Sequence, residues 1–264
     1  MFALQRAVQA VRPEWLHVGG LLRGGEMPWF WCWEDRAAAC SCAAAGMPFV
    51  IGPNMLFTHW SIPCAVSGER ELCDAASCRL QFTESAWYRE WILAQCGPLM
   101  CAPIVLWPYP IDPLPEGPMP AAFDLLIYEK SGVDRALVPR LIRRWPASVH
   151  FRYGRFQRER LVEAARRARV CVYLSDNDRG PLALAEILLC GCPAVGIARG
   201  APWIVDGSTG FQSRNLECAA LCDAIDRAAL LDRQAVRAAA LERFHTERIV
   251  ETILRALDAA RWDD

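Results

Sequence analysis

The segment that decides the fold runs from residue 170 to residue 197. It consists of Val170-Cys171-Val172-Tyr173-Leu174, Ser175-Asp176-Asn177-Asp178-Arg179-Gly180-Pro181, Leu182–Cys190 and Pro193–Ile197. The first run is entirely apolar, which is typical of a strand in a parallel sheet that helices cover on both faces. Capping residue types followed by Pro181 predict the start of a helix, and Gly191 predicts its end. The segment therefore predicts a strand, a helix and a second strand in parallel α/β arrangement.

The same alternation of strands and helices continues outward in both directions. Further strands are predicted at Trp15–Val18, Pro48–Ile51, Ala76–Phe82, Ile104–Trp107, Phe123–Tyr128 and Ser148–Tyr153. Further helices are predicted at Leu4–Val11, Arg36–Ala45, Ser85–Gln95, Arg135–Trp145, Gln157–Arg167, Leu216–Leu230 and Gln234–Ala260. Repeated units of this kind predict an α/β protein with helices on both faces of its sheets.

A proline-rich segment separates the two halves of this pattern. Six prolines lie between residues 108 and 120, and proline is excluded from helix interiors and central strands. We therefore predict a linker between two Rossmann-like lobes, residues 1–110 and 111–264, with a final helix that can pack back on the first lobe. Such lobes bind ligands where their strands end, which predicts a site in the cleft between them.

Composition excludes several classes of protein. An apolar fraction of 53% suffices for a packed core, and a net charge of −1 gives no bulk attraction to nucleic acid or anionic membranes. The first twelve residues lack the apolar region of a secretory signal, and no stretch has the length of uncharged apolar sequence that spans a bilayer. We therefore expect a cytoplasmic protein without a transmembrane segment.

Two residue types are used unusually. The 13 cysteines are odd in number, and neither Cys40-Ser41-Cys42 nor Cys190-Gly191-Cys192 has the usual zinc-site spacing, so we expect reduced thiols and no metal. Arginine supplies all but one of the 29 basic side chains, and Lys130 is the single lysine. Arg-rich composition of this kind is typical of a GC-rich genome, which makes the one remaining lysine a candidate functional residue.

The loop before the predicted helix at Leu182 combines features of an anion site. Unpaired backbone N–H groups and the helix dipole favour negative charge at a helix start. Asp178 and Glu186 are eight residues apart, so both carboxylates can approach a ligand above the strand ends. We expect this loop to form part of a ligand site.

At these residues the sequence resembles a known family. The run Tyr173-Leu174-Ser175, Asp178-Arg179-Gly180-Pro181, Glu186, Gly191-Cys192-Pro193-Ala194-Val195 and Asp206-Gly207-Ser208-Thr209-Gly210-Phe211 is similar to the donor-site signature of retaining GT-B glycosyltransferases, especially glycosyltransferase family 4. That signature contains an E-x7-E motif, a Gly-x-Pro strand and a D-G-x-x-G turn. Weaker similarities occur at Pro13–Val18 and Pro108–Asp112.

The resemblance implies a reaction and roles for particular residues. It implies a retaining, metal-independent glycosyltransferase without a cofactor, with acceptor-side residues 1–110 and nucleotide-sugar-binding residues 111–264. Glu186 would bind the ribose, Asp178 the transferred sugar, and Lys130 the diphosphate, where its charge would stabilise the leaving group. Backbone N–H groups of the donor loop would assist at Arg179, Gly180, Pro181 and Leu182. The acceptor, whether glycan, small molecule, protein or nucleic acid, and the oligomeric state stay open.

Structural alternatives exist for each of these residues. Asp178 can be a helix cap, Glu186 a solvated helix carboxylate, and Lys130 a loop lysine. Arg155 and Arg158 can contact phosphate or base, or lie on a basic helix surface. Trp203 replaces a glutamate that the family often has.

In the first lobe, the residues expected at the cleft are His17, Gly19, Gly20 and Asn54. The aromatic run 29–33 can bind sugar or fill a core.

The first lobe also departs from the family, since the chain begins with a predicted helix instead of a strand and glycine-rich loop. This departure, with Asp178 in place of the first glutamate, favours an alternative: a catalytically weak GT-B-like protein that binds sugar nucleotides or a partner. A dinucleotide enzyme is disfavoured because no G-x-G-x-x-G motif opens a βαβ unit. No zinc, RRM or homeodomain pattern of nucleic-acid binding occurs either.

Overall fold

In the computed structural model, the residues described are 28–32, 35–54, 72, 76–96, 103–106, 111, 114, 116–131, 133–134 and 136–260. The chain divides into two compact units. Unit 1 comprises residues within 1–110 and 246–264, and unit 2 comprises residues 111–245. The helix predicted at Leu4–Val11 and the strand predicted at Trp15–Val18 lie outside the described residues.

Nine strands and eight helices are defined within the described part of the chain. The strands are β1 (Trp29–Cys32), β2 (Phe49–Asn54), β3 (Cys78–Thr83), β4 (Ile104–Leu106), β5 (Phe123–Ser131), β6 (Ser148–Arg152), β7 (Ala168–Ser175), β8 (Ala194–Gly196) and β9 (Gly210–Gln212). The helices are α1 (Arg36–Ala44), α2 (Ala86–Cys96), α3 (Leu137–Arg144), α4 (Arg158–Arg167), α5 (Leu182–Leu189), α6 (Cys218–Ala228), α7 (Arg233–Phe244) and α8 (Thr246–Ala260).

Unit 1 contains a four-stranded parallel sheet in the order β1-β2-β3-β4. Side chains of α1 and α2 pack on one face, against Phe30, Phe49 and Ile51. Helix α8 covers the opposite face, where its apolar side chains contact Trp29, Val50, Leu80 and Phe82. Both faces of the sheet are therefore buried, as the apolar strand sequences require.

Unit 2 contains a five-stranded parallel sheet in the order β6-β5-β7-β8-β9. Helices α3 and α6 bury one face against Leu125, Ile127 and the valines of β7. Helix α4 packs against β5 and β7 on the opposite face, beside α5. Two parallel sheets with covering helices confirm the predicted α/β class, with two Rossmann-like sheets and a reduced first one.

The structure corrects several predicted boundaries. The predicted helix Gln234–Ala260 is two helices, because His245 has an extended backbone with φ −63° and ψ 118°. Strand β2 continues past Ile51 through Gly52, whose φ is +100° and whose missing Cβ leaves room for the Phe82 carbonyl. Strands β1 and β9 were not predicted as strands, because an aromatic run and a short glycine turn lack a clear strand period.

The described part of the aromatic run 29–33 belongs to the core of unit 1. Trp29 and Phe30 are each 1% exposed. The Trp29 indole N–H donates to the Gly52 carbonyl at 2.9 Å, and its ring lies 5.0 Å from that of Phe82. For these two residues, core packing is therefore the correct interpretation, and sugar stacking is wrong.

Candidate functional site

The carboxyl ends of β5 and β7 bring two of the predicted site residues, Lys130 and Asp178, together. These strands are hydrogen-bonded neighbours, with Tyr128 opposite Tyr173 and Glu129 opposite Leu174. The next pair is Ser131 with Ser175, so Lys130 is an extra residue on β5. A bulge of this kind changes the direction of a side chain at a strand end. Lys130 therefore lies in a bulged strand, and the loop-lysine alternative is wrong.

Lys130 forms an ion pair with Asp178 at this edge. Its Nζ lies 2.5 Å from Asp178 Oδ2, and the two side chains are 26% and 5% exposed. The Tyr173 hydroxyl donates to the same carboxylate oxygen at 2.8 Å. The Lys130 ammonium also lies 5.1 Å from the ring centroid of Tyr153, in cation–π geometry. The carboxylate thus accepts two bonds, which satisfies a buried charge that would otherwise be costly.

A pair of tyrosines lies beneath this ion pair. The rings of Tyr128 and Tyr173 are stacked with centroids 4.9 Å apart, and both residues are buried. Burial raises the pKa of both hydroxyls, and the Asp178 carboxylate raises each pKa further. Glu186 also contributes to the raised pKa of Tyr128. The carboxylates of Asp178 and Glu186 therefore both act on Tyr128, although they come from different elements.

The loop between β7 and α5 is held by hydrogen bonds within the loop and to neighbouring segments. Ser131 Oγ donates to Asp176 Oδ1 at 2.9 Å, and Ser175 Oγ donates to the Asn177 carbonyl at 2.8 Å. The Asp178 N–H donates to the Arg199 carbonyl at 2.8 Å. Helix α5 has no side-chain cap bond. Asp178 therefore does not cap this helix.

Glu186 lies in the middle of α5 and is paired with an arginine. Arg158 Nε donates to Glu186 Oε1 at 2.5 Å, and the two side chains are 54% and 14% exposed. Arg158 begins α4, so this bond joins the start of α4 to the middle of the neighbouring α5. Glu186 is thus a mostly buried, paired carboxylate, and the interpretation as a solvated one is wrong.

The backbone before α5 offers fewer donors than predicted. Pro181 has no N–H, and the Leu182 N–H donates to the Gly180 carbonyl at 2.9 Å. Two of the four positions that we expected to donate to a ligand therefore cannot do so in this conformation. Arg179 and Gly180 are partly exposed and precede the helix.

The structure places the other predicted site residues as follows. His17, Gly19 and Gly20 lie outside the described residues. Asn54 ends β2 in unit 1, where only its backbone is described. Arg155 is exposed in the turn after β6, with its N–H donating to the Arg152 carbonyl at 3.0 Å. Trp203 is 1% exposed and packs on Phe244, so it fills the core where the family often has a glutamate.

We predicted no role for Tyr173 and Tyr128. For Arg158, the prediction left open whether it contacts a ligand or lies on a basic helix surface. A hydroxyl in an otherwise aliphatic buried strand needs a hydrogen-bond partner, and this signal was present at Tyr173. The partner itself depends on strand register, which the sequence does not give.

The described residues lack two features. Within them, no group of three or more His, Cys, Asp or Glu side chains has metal-site geometry. In the same part of the chain, no helix combines the length and apolar character needed to cross a membrane.

Comparison with known proteins identifies the fold. No protein-family model matches the sequence, and no curated protein matches it. HepE from Anabaena, solved with UDP and glucose, has a TM-score of 0.62 and 14% identity over 97% of this chain and 81% of its own. Sucrose-phosphate synthase from Thermosynechococcus elongatus has a TM-score of 0.59 and 15% identity over 89% of this chain and 74% of its own.

A third solved structure has a similar fold. The N-terminal domain of Candida albicans trehalose-6-phosphate phosphatase has a TM-score of 0.61 and 9% identity, over 91% of this chain and 73% of its own. The chain has a GT-B-type fold. At such low identities, the GT-B likeness concerns the fold, and activity has to be argued from the site residues.

Proposed function

We propose that this protein is a metal-independent, retaining glycosyltransferase that moves a sugar from a nucleoside diphosphate sugar to an acceptor still to be identified. The fold supports this proposal, since HepE shares it and has been solved with UDP-glucose. The sequence resemblance to glycosyltransferase family 4 also supports it, because Asp178 of the resembling run pairs with Lys130 at the carboxyl edge of the unit 2 sheet.

The observation that carries the proposal is the placement of Lys130. Its ammonium lies at the carboxyl edge of a parallel sheet, where ligands bind in open α/β folds. An ammonium has three N–H donors, and the bond to Asp178 leaves others for phosphate oxygens. A fixed cation of this kind stabilises negative charge that develops on a leaving group.

Glu186 supports the nucleoside part of the proposed donor. An ionised carboxylate accepts hydrogen bonds from two adjacent hydroxyls, such as those of ribose. Its bond to Arg158 fixes one oxygen and balances the charge of a mostly buried group. We therefore assign Glu186 to ribose binding and Arg158 to holding Glu186 in place.

The proposed reaction replaces the diphosphate on the anomeric carbon of the sugar with the acceptor oxygen. The bond between that carbon and the diphosphate oxygen breaks, and its electron pair stays on the diphosphate. An acceptor hydroxyl oxygen bonds to the carbon on the same face, and its proton passes to the leaving diphosphate. Negative charge develops on that diphosphate as the bond breaks. The Lys130 ammonium that binds it therefore stabilises the transition state more than the bound donor.

A thermal-shift screen tests the binding step. UDP, GDP, ADP and their sugars are added to the wild-type protein, and a bound ligand at a hundredfold excess over Kd adds about 2.7 kcal/mol of stability. We expect Lys130→Ala and Glu186→Ala to remove the shift while the unliganded protein still unfolds cooperatively. Glu251→Ala is the control, because Glu251 forms an exposed pair with Arg255 on α8. A retained shift in both site variants would contradict the assignment.

One observation favours a second function, binding without turnover. Asp178 Oδ2 already accepts bonds from Lys130 and Tyr173, which reduces its capacity to bind a sugar hydroxyl. A sugar-nucleotide-binding protein would show the thermal shift but release no nucleoside diphosphate. Measuring free nucleoside diphosphate after incubation with each sugar donor and a panel of acceptors separates the two functions.

A further inference from the structure

Tyr173 is held by aromatic packing as well as by burial. Its ring is 1% exposed and stacks on Tyr128 at an interplanar angle of 16°. Phe156 packs edge-on against Tyr128, with ring centroids 5.6 Å apart. The position of the Tyr173 hydroxyl is therefore set by the packing of two strands and a turn.

Lys130, by contrast, carries its charge on a flexible stem. A lysine ammonium is a compact charge at the end of a flexible four-carbon chain, so its position depends on the groups that it contacts. Here it contacts Asp178 Oδ2, the oxygen that also accepts the Tyr173 hydroxyl. The rigid tyrosine thus fixes the carboxylate, and the carboxylate fixes the ammonium.

We propose that Tyr173 is a positioning residue, whose hydroxyl orients Asp178 so that Asp178 holds the Lys130 ammonium at the diphosphate subsite. This inference rests on the proposed function, because it assumes that Lys130 binds a diphosphate. It assigns Asp178 to positioning as well, in addition to any contact with the sugar. Neighbouring hydrogen bonds of this kind strengthen one another in a buried site.

The test compares the diphosphate with the nucleoside that carries it. UDP, GDP and ADP are titrated into the wild-type protein by calorimetry, and the tightest ligand and its nucleoside are then measured against the Tyr173→Phe variant. We expect the Kd of the diphosphate to rise about tenfold and that of the nucleoside to stay unchanged. The same variant should have no further effect in a Lys130→Met background, since the two residues act in series.

Tyr88→Phe is the matched control, because Tyr88 is a buried, stacked tyrosine in the core of unit 1. It should leave both Kd values unchanged. Equal weakening of diphosphate and nucleoside by Tyr173→Phe would show a merely structural role and overturn the inference. Unchanged binding, or additive effects with Lys130→Met, would overturn it too. If the wild-type protein binds none of the three diphosphates, the proposed function fails first and the inference with it.

Discussion

Gly200 is a residue whose lack of a side chain shapes the candidate site. It is buried after β8, and an added Cβ would overlap the carbonyl oxygen of Ser175 at the end of β7. The neighbouring Arg199 carbonyl accepts the Asp178 N–H. The backbone around Gly200 therefore sets the position of the loop that carries Asp178.

We predict that Gly200→Ala destabilises the protein by about 1–3 kcal/mol, because the new methyl group meets backbone that cannot move independently. It should also weaken diphosphate binding, since the Asp178 loop shifts. Gly117→Ala is the control, as its Cβ would lie 3.6 Å from Arg237 in ordinary contact. Urea denaturation measures both effects on stability. Equal midpoints for the two variants would contradict the prediction.

At the scale of elements, α7 binds the proline-rich segment at the beginning of unit 2. Prolines have no N–H and form no regular hydrogen-bond ladder, so carbonyls along such a segment need donors from elsewhere. Arg237 donates to the carbonyls of Leu114 and Glu116. Arg233 donates to the Met119 carbonyl at 2.7 Å.

Arg233 also joins the ends of two helices to this segment. Its guanidinium donates to the carbonyls of Ala165 and Arg166 at the end of α4, and to that of Gly191 after α5. The last carbonyls of a helix, such as those of Ala165 and Arg166, have no N–H partner within that helix. One side chain therefore connects three pieces of chain that are distant in sequence.

We predict that Arg233→Ala lowers the free energy of unfolding by about 2–4 kcal/mol, because several partly buried carbonyls lose a charged donor. Arg233→Lys should recover only part of this, since an ammonium lacks the planar fork that reaches all four carbonyls. Chemical denaturation of both variants gives the values.

Arg255→Ala is the control for this pair, because Arg255 forms an exposed bond with Glu251 within α8. Exposed pairs contribute less than about 1 kcal/mol. If Arg233→Ala lowers the free energy of unfolding no more than Arg255→Ala does, α7 does not hold the proline-rich segment in place.

At the scale of the whole molecule, unit 1 is assembled from both ends of the chain. Helix α8 follows unit 2 in sequence but belongs to unit 1, where Ile249, Val250, Ile253 and Leu257 cover one face of the sheet. Without α8, Trp29 and Phe82 would lose that cover. The stability of unit 1 therefore depends on α8.

We predict that Ile253→Ala destabilises unit 1 by about 2–5 kcal/mol, as expected for a fully buried isoleucine. Hydrogen exchange should show reduced protection of β3, while β7 in unit 2 keeps its protection. Leu230→Ala is the control, because Leu230 is 87% exposed. Equal loss of protection in β3 and β7 would contradict the division into two units.

Much of the fold could be predicted from single elements. The apolar run of β7 and the glycine after α1, which has φ +65°, each act locally, and the predicted strand and helix end there were confirmed. The helix break at His245 was missed because the apolar period continues through it. Strand β9 was missed because three residues carry too little pattern.

The candidate site was predictable in its residue types more than in its contacts. Lys130 was singled out as the one lysine and Asp178 and Glu186 by their spacing, and the family resemblance implied their roles. Lys130 and Asp178 are in direct contact. That Tyr173 shares the carboxylate of Asp178, and that Arg158 pairs with Glu186, depends on neighbours that the sequence does not place.

The amino-acid sequence by itself determined the alternation of strands and helices and the residue types at the strand ends, because each depends on nearby residues. Only the tertiary structure decided that Lys130 occupies a bulge facing Asp178, and that the last helix completes unit 1. Both depend on strand register and on contacts between residues distant in the chain. Those are set by the packing of whole elements, which local sequence preferences do not encode.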